Sequence, residues 1–192
     1  MRRPLASVLT LGCKLNLADS EEVARGLQDC GYRVTTSLCE ADAYVINTCA
    51  VTHVADRKSR KLVRSVRRLA PGARVVVTGC FPRAAGEAAA ADLGADLVAG
   101  TSDQDKARIV RFLAEPGIEP LPAEAAAAPG THVARAFIKA QEGCNDVCAF
   151  CIVPRTRGRE RSRTVERVAE EVRRATAGGA REAVITGTQL GA

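Results

Sequence analysis

The chain has 192 residues, of which 46% are hydrophobic and only 3% aromatic, and its formal charge is +6. That length allows one or two domains, and that apolar content excludes a wholly disordered chain. No stretch reaches the ~18 consecutive apolar residues that a membrane span requires, so the expectation is a soluble, cytoplasmic protein with no membrane partner.

Arg2 and Arg3 precede the apolar stretch Leu5–Leu11 and then Gly12-Cys13, a faint imitation of a lipoprotein leader. The stretch is short and carries Ser7 and Thr10, and Asn16–Glu22 just after it reads as a helix start, so export is set aside. Ser7–Leu11 reads as a short strand. Asp19 can cap a helix from Ser20 to about Cys30, with Glu22 completing a capping box and Gly31 ending the helix. A weak strand is expected at Arg33–Thr36 and a clear one at Tyr44–Asn47. A basic helix runs from about Val54 to Leu69, stopped by Pro71-Gly72. A strand at Arg74–Thr78, a helix at Ala84–Ala91, a strand at Asp96–Val98 and a helix at Gln104–Leu113 complete the first unit. This alternation predicts an α/β fold: an open parallel sheet with helices on both faces.

Residues 115–131 carry four prolines, Pro116, Pro120, Pro122 and Pro129, around an alanine run. That composition predicts a linker between a domain at 1–114 and a second at 132–192. The second unit begins with a strand at Ala134–Lys139, continues through a cysteine loop and a helix at about Thr164–Thr176, and reaches a strand at Glu182–Ile185. One βαβ unit cannot close a core alone, so this domain reads as incomplete.

Eight cysteines dominate the chemistry. In an α/β pattern without an export signal they read as reduced, metal-holding thiols rather than a disulfide framework. Cys13, Cys49 and Cys80 each follow an apolar strand and a small residue (Gly12, Thr48, Gly79). Ligands of open parallel sheets bind at the carboxyl ends of the strands, so three thiols at three such ends would converge on one site. The alternative for any one of them is a buried small hydrophobe, which is how Cys30 and Cys39 are read. The second group is compact: Cys144, Cys148 and Cys151 form a C-x3-C-x2-C loop. Three thiolates at that spacing can hold three irons of a cubane cluster and leave the fourth open, whereas an electron-transfer cluster takes four cysteines. The alternative is zinc with His132 or His53 as a further ligand.

The Cys144–Cys151 loop resembles the signature of the radical S-adenosylmethionine (SAM) enzymes. Thr10–Asn16, Val45–Thr52 and Val77–Cys80, together with Ile152–Pro154 and Arg157–Arg163, resemble the methylthiotransferases within that group. Thr48–Thr52 with Ala55–Arg60 is most similar to the branch acting on threonylcarbamoyl-adenosine beside the tRNA anticodon. Sister branches modify isopentenyl-adenosine in tRNA or a ribosomal protein. The resemblance implies two [4Fe-4S] clusters. One, on Cys144, Cys148 and Cys151, would bind and cleave SAM, and the radical formed would take hydrogen from carbon-2 of the adenine. The other, on Cys13, Cys49 and Cys80, would carry the sulfur that is methylated and delivered. It also implies a tRNA substrate, an electron donor, and proximity of Thr186-Gly187-Thr188 to SAM, although a strand-ending turn explains those three residues equally well.

Two arginine-rich stretches, Arg57–Arg68 and the alternating Arg155, Arg157, Arg159, Arg161 and Arg163, are either solvated faces or phosphate contacts. Scarce aromatics weigh against single-strand stacking. The family adds a complete barrel and a small RNA-binding domain. A full barrel takes about 250 residues, so the chain reads as truncated and its activity alone is in doubt. The competing expectation is a non-catalytic metal- and RNA-binding module.

Overall fold

The computed structural model describes residues 2–114 and 134–191; the expected linker at 115–131 lies outside them. The first segment alternates strand and helix: β1 (Leu5–Thr10), α1 (Lys14–Asp29), β2 (Arg33–Thr35), β3 (Ala43–Thr48), α2 (His53–Leu69), β4 (Arg74–Gly79), α3 (Cys80–Ala85), α4 (Glu87–Ala91), β5 (Leu97–Val98) and α5 (Asp103–Leu113). Its strands form one wholly parallel sheet in the order β2-β1-β3-β4-β5, as the alternation predicts.

The two-residue side-chain period of a strand splits this sheet's core into two layers. Val45 on β3 and Val76 on β4 point to one face, where Val23 and Leu27 of α1 and Ile109 and Leu113 of α5 cover them. Tyr44 and Ile46, with Val75 and Val77, point to the other, against Val63 and Val66 of α2 and Phe81 of α3. Every residue of β3 is buried, which is why that strand reads as an unbroken apolar run capped by Asn47 and Thr48.

Two expectations are corrected. The helix after β1 starts at Lys14, with Cys13 at its extended N-cap, and Asp19 sits inside it, buried, as a partner for cations rather than a cap. The helix expected at Ala84–Ala91 is two short ones, broken at Gly86, whose φ of 91° an alanine would resist.

The second segment holds β6 (Arg135–Lys139), β7 (Gln141–Glu142), α6 (Val153–Arg157), β8 (Arg161–Ser162), α7 (Val165–Ala177) and β9 (Glu182–Thr186). β6 and β9 pair in parallel across α7. The short antiparallel pair β7–β8, which closes the cysteine loop, has no counterpart among the elements expected from sequence. β6 packs on α1, and the Phe137 N–H donates to a Glu21 carboxylate oxygen at 3.2 Å.

Charges fix this junction. Asp19 on α1 accepts from Lys139 Nζ at 2.6 Å and from Arg157 Nη1 at 3.1 Å, and Glu142 accepts from the same two cations at 3.1 and 3.3 Å. Lys139 is 2% and Arg157 4% exposed, so these pairs lie in low dielectric. Beside them, Glu22 pairs with Lys106 of α5 and, at 2.6 Å, with Arg163, which also meets Glu171 of α7 at 2.8 Å. Buried pairs add little net stability, but removing one partner leaves an uncompensated charge; their effect is to fix one docking geometry.

Burial alone would raise the Glu22 pKa, but Arg163 and Lys106 hold it at about 2, against the 4.5 of an ordinary glutamate. Because the folded value is depressed, the linked stability, about 3 kcal/mol, is present above pH 4.5 and is lost as pH falls toward 2. Urea unfolding midpoints should therefore drop across that window, and Glu22→Gln should drop less; an equal drop in both proteins would show that Glu22 is not the linked group.

Candidate metal and substrate site

Cys13, Cys49 and Cys80 leave the carboxyl ends of β1, β3 and β4, which are consecutive in the sheet. Gly12 and Gly79 bring those ends together. Gly12 has φ 117°, and a Cβ there would stand 3.0 Å from the Cys49 Cβ. Gly79 has φ 98°, and a Cβ there would collide with the Thr48 carbonyl and lie 2.5 Å from the Asn47 amide oxygen. Only glycine permits both the conformation and the approach.

A polar clasp holds the three ends. The buried Asn16 side-chain nitrogen lies 2.9 Å from the Leu11 carbonyl, 2.9 Å from the Thr48 carbonyl and 3.0 Å from Asn47 Oδ1. The Asn47 side chain donates back to the Asn16 carbonyl at 2.8 Å and to Ser20 Oγ at 3.0 Å. The Thr48 hydroxyl donates to the Thr78 carbonyl at 2.5 Å, and Ser59 of α2 donates to the Cys49 carbonyl at 3.0 Å. Buried amides satisfied in this way cost little and set a single loop geometry.

The thiols share an electrostatic neighbourhood. Burial pushes the Cys80 thiol up; Arg157 and a hydrogen bond with Thr156 pull it partly back, and Cys49 and Cys13 push it further up. Burial opposes the charge of Arg157 in turn, while Asp19, Cys80 and Cys13 raise its pKa.

The second group lies on the loop between β7 and α6. Gly143 (φ 77°) turns the chain into Cys144, and a Cβ there would collide with the Arg159 carbonyl. The Cys144 N–H donates to the Gly158 carbonyl at 3.2 Å and the Cys151 N–H to the Cys148 carbonyl at 3.1 Å. Cys144 Sγ is 3.1 Å from Gln189 Oε1. Gln141 Oε1 accepts from the Thr188 and Gln189 N–H groups at 2.7 and 3.0 Å, and its amide donates to the Gly143 carbonyl at 2.8 Å. The Thr186-Gly187-Thr188 turn is thus tied to the cysteine loop. At the loop tip Phe150 is 94% exposed, an unusual state for a large apolar ring.

The two groups are neighbours. α6 begins just beyond Cys151 and packs on α3, whose first residue is Cys80. A cleft of about 670 Å³ runs between the start of α2 (His53, Asp56, Arg60) and the loop (Cys148, Phe150, Cys151). Among the described residues, no three His, Cys, Asp or Glu side chains stand as a ready-made metal group. The donor chemistry fits an iron–sulfur centre: each group is all thiol, and the Arg157 cation adjoins the N-terminal one. His53 lines the cleft without joining such a group, and His132 lies outside the described residues.

Several site residues carry no signal in the sequence. Asn16 and Asn47 stand inside the cysteine motifs, yet a buried amide has no periodicity by which to be found. The alternating arginines are the larger correction. Arg157 and Arg163 turn inward onto Asp19, Glu142, Glu22 and Glu171 and are structural cations, whereas Arg155, Arg159 and Arg161 stay exposed, Arg161 meeting Glu142 at 3.3 Å. On α2, Arg60 stacks over the Phe81 ring at 4.7 Å and Arg67 pairs with Asp96 at 2.5 Å, while Arg57, Lys58, Lys61, Arg64 and Arg68 stay exposed.

Residues 6–100 match the uncharacterized protein family UPF0004, and residues 138–189 match the radical SAM superfamily. A threonylcarbamoyladenosine tRNA methylthiotransferase of Bacillus subtilis is 35% identical over 95% of this chain and 43% of its own length. Its counterpart from Aquifex aeolicus is 34% identical over 94% and 47%. A tRNA-2-methylthio-N(6)-dimethylallyladenosine synthase of Paracoccus denitrificans is 35% identical over 95% and 43%. The chain thus spans less than half the length of these curated relatives.

Gly79→Ala should cost at least about 2 kcal/mol of unfolding free energy, from positive φ and the clash with Thr48. Gly72→Ala, which meets nothing within 4 Å, should change it by less than about 0.5 kcal/mol. Urea denaturation compares the two, and similar costs would contradict the close approach at Gly79.

Proposed function

We propose that this chain, which belongs to the radical SAM methylthiotransferase family, carries the two iron–sulfur centres of a tRNA methylthiotransferase acting on carbon-2 of threonylcarbamoyl-adenosine beside the anticodon. Residues 1–114 form the auxiliary-cluster domain, 115–131 the linker, and 132–192 the first part of the radical domain. Cys144, Cys148 and Cys151 hold one [4Fe-4S] cluster with an open iron for SAM; Cys13, Cys49 and Cys80 hold the other. With SAM bound, the pair would supply hydrogen abstraction from an unactivated aromatic carbon and delivery of a sulfur methylated by a second SAM, chemistry that no side chain performs. Reduction requires an external electron donor.

The observation that carries this reading is the joint placement of the two thiol groups: one at three consecutive strand ends, the other on a loop whose following helix packs against Cys80. The protein's own task is placement. Gly143 and Gln141 shape the radical loop and tie it to the turn after β9, Asn16 and Asn47 hold the auxiliary strand ends, and the cleft beside the radical loop is bordered by α2. The exposed cations of α2 suit tRNA phosphates at the rim of that cleft. The choice of threonylcarbamoyl- over isopentenyl-adenosine rests on Thr48–Thr52 and Ala55–Arg60, because relatives of both kinds reach 35% identity.

Anaerobic reconstitution should give about eight irons per chain, falling to about four in the Cys144/Cys148/Cys151→Ala variant. Zinc, or no stable centre in either protein, would leave the non-catalytic module as the better reading. For the RNA contact, Lys58→Gln/Lys61→Gln/Arg64→Gln should flatten the salt dependence of tRNA binding, lowering the log–log slope by roughly 2–3. An unchanged slope would place the tRNA elsewhere.

A further inference from the structure

Arg157 ends α6, the helix that leads away from the radical loop, yet its side chain is buried against the auxiliary strand ends. Its Nη2 donates to Asn16 Oδ1 at 2.7 Å, while Nη1 serves Asp19 and Glu142. The same Asn16 oxygen lies 3.6 Å from Cys13 Sγ, and the Asn16 nitrogen faces the carbonyls of Leu11 and Thr48, next to Gly12-Cys13 and Cys49. The Asn16 amide is thus held at both ends: the Leu11 and Thr48 carbonyls take its nitrogen, and Arg157 donates to its oxygen, so both ends favour the same orientation.

We propose that Arg157 is a positioning residue for the Cys13/Cys49/Cys80 centre: it locks the Asn16 clasp and sets a fixed positive charge beside the thiolates. The inference rests on those three cysteines holding a cluster. The charge comes from the segment bearing Cys144, Cys148 and Cys151, so the auxiliary centre is completed only when the two segments are docked. A cation in low dielectric favours the more negative state of its neighbour, and its field reaches both Cys80 and Cys13. The reduced auxiliary cluster is therefore stabilised by docking. Arginine suits the task because one planar group serves the amide and the two carboxylates at once, which a lysine ammonium does less well.

The test uses the Cys144/Cys148/Cys151→Ala protein reconstituted with iron and sulfide, so that only the auxiliary centre contributes, and reads its midpoint potential by electron paramagnetic resonance. Arg157→Gln should lower the reduction equilibrium at least tenfold, about 59 mV for a one-electron couple. Arg157→Lys, which keeps the charge, should recover most of that shift; a purely structural role would move the melting temperature and leave the potential alone. Should Arg157→Gln fail to fold, Glu142→Gln replaces it: with one of its two carboxylates gone the guanidinium is less offset, and the potential should rise. An unchanged potential in the folded variants overturns the role of Arg157 alone. Absence of any cluster in the parent protein overturns the role together with the cysteine assignment on which it rests.

Discussion

One carboxylate, that of Asp19, determines how the two segments meet. It is buried on α1 and shared by Lys139 and Arg157, which lie 120 and 138 positions later in the chain. Taking three charges out of water is costly, and the cost is offset only where each finds its partners at hydrogen-bond distance. That requirement narrows the docked arrangements to one, because a shift that broke any of these contacts would strand a charge. Glu142 doubles the arrangement by accepting from the same two cations, and the Glu22–Lys106–Arg163 cluster extends it to α5 and α7.

The parallel sheet supplies the complementary constraint. Parallel strands present their carboxyl ends on one edge, and the consecutive order β1-β3-β4 puts three cysteine-bearing ends side by side. Side-by-side ends are still several ångströms apart at the backbone, and two features bring them closer. Gly12 and Gly79 adopt positive φ where a side chain would strike the next loop, and the Asn16–Asn47 amides satisfy the carbonyls that such a close approach would leave without partners. α6 carries the chain from Cys151 to Arg157, whose guanidinium ties the Cys144–Cys151 segment to this edge through Asn16.

The strands and the cysteine groups are legible in the sequence; their surroundings are not. Tyr44–Asn47 and Arg74–Thr78 match β3 and β4 within a residue or two, since runs this short and this rich in Val and Ile favour a buried strand over a helix. Asp19 imitates a helix cap because a serine, two glutamates and an apolar residue come after it, which is the local pattern of a capping box. The true start lies at Lys14, where the turn made by Gly12 frees the backbone to begin the helix at once. Arg157 and Arg163 imitate surface cations because alternating charge is the pattern of a solvated ribbon.

What the sequence determined by itself was local and periodic: the α/β order, the parallel sheet, the two cysteine groups and the resemblance those groups carry. What only the tertiary structure decided was the partnership of charges and amides across long separations. Asp19 meets Arg157, and Asn16 meets Asn47 and Thr48, through folding alone. A periodic pattern reports which face of an element is buried. It cannot report which distant buried polar group, as far off as Arg157 is from Asn16, will satisfy another, because that depends on how whole elements pack.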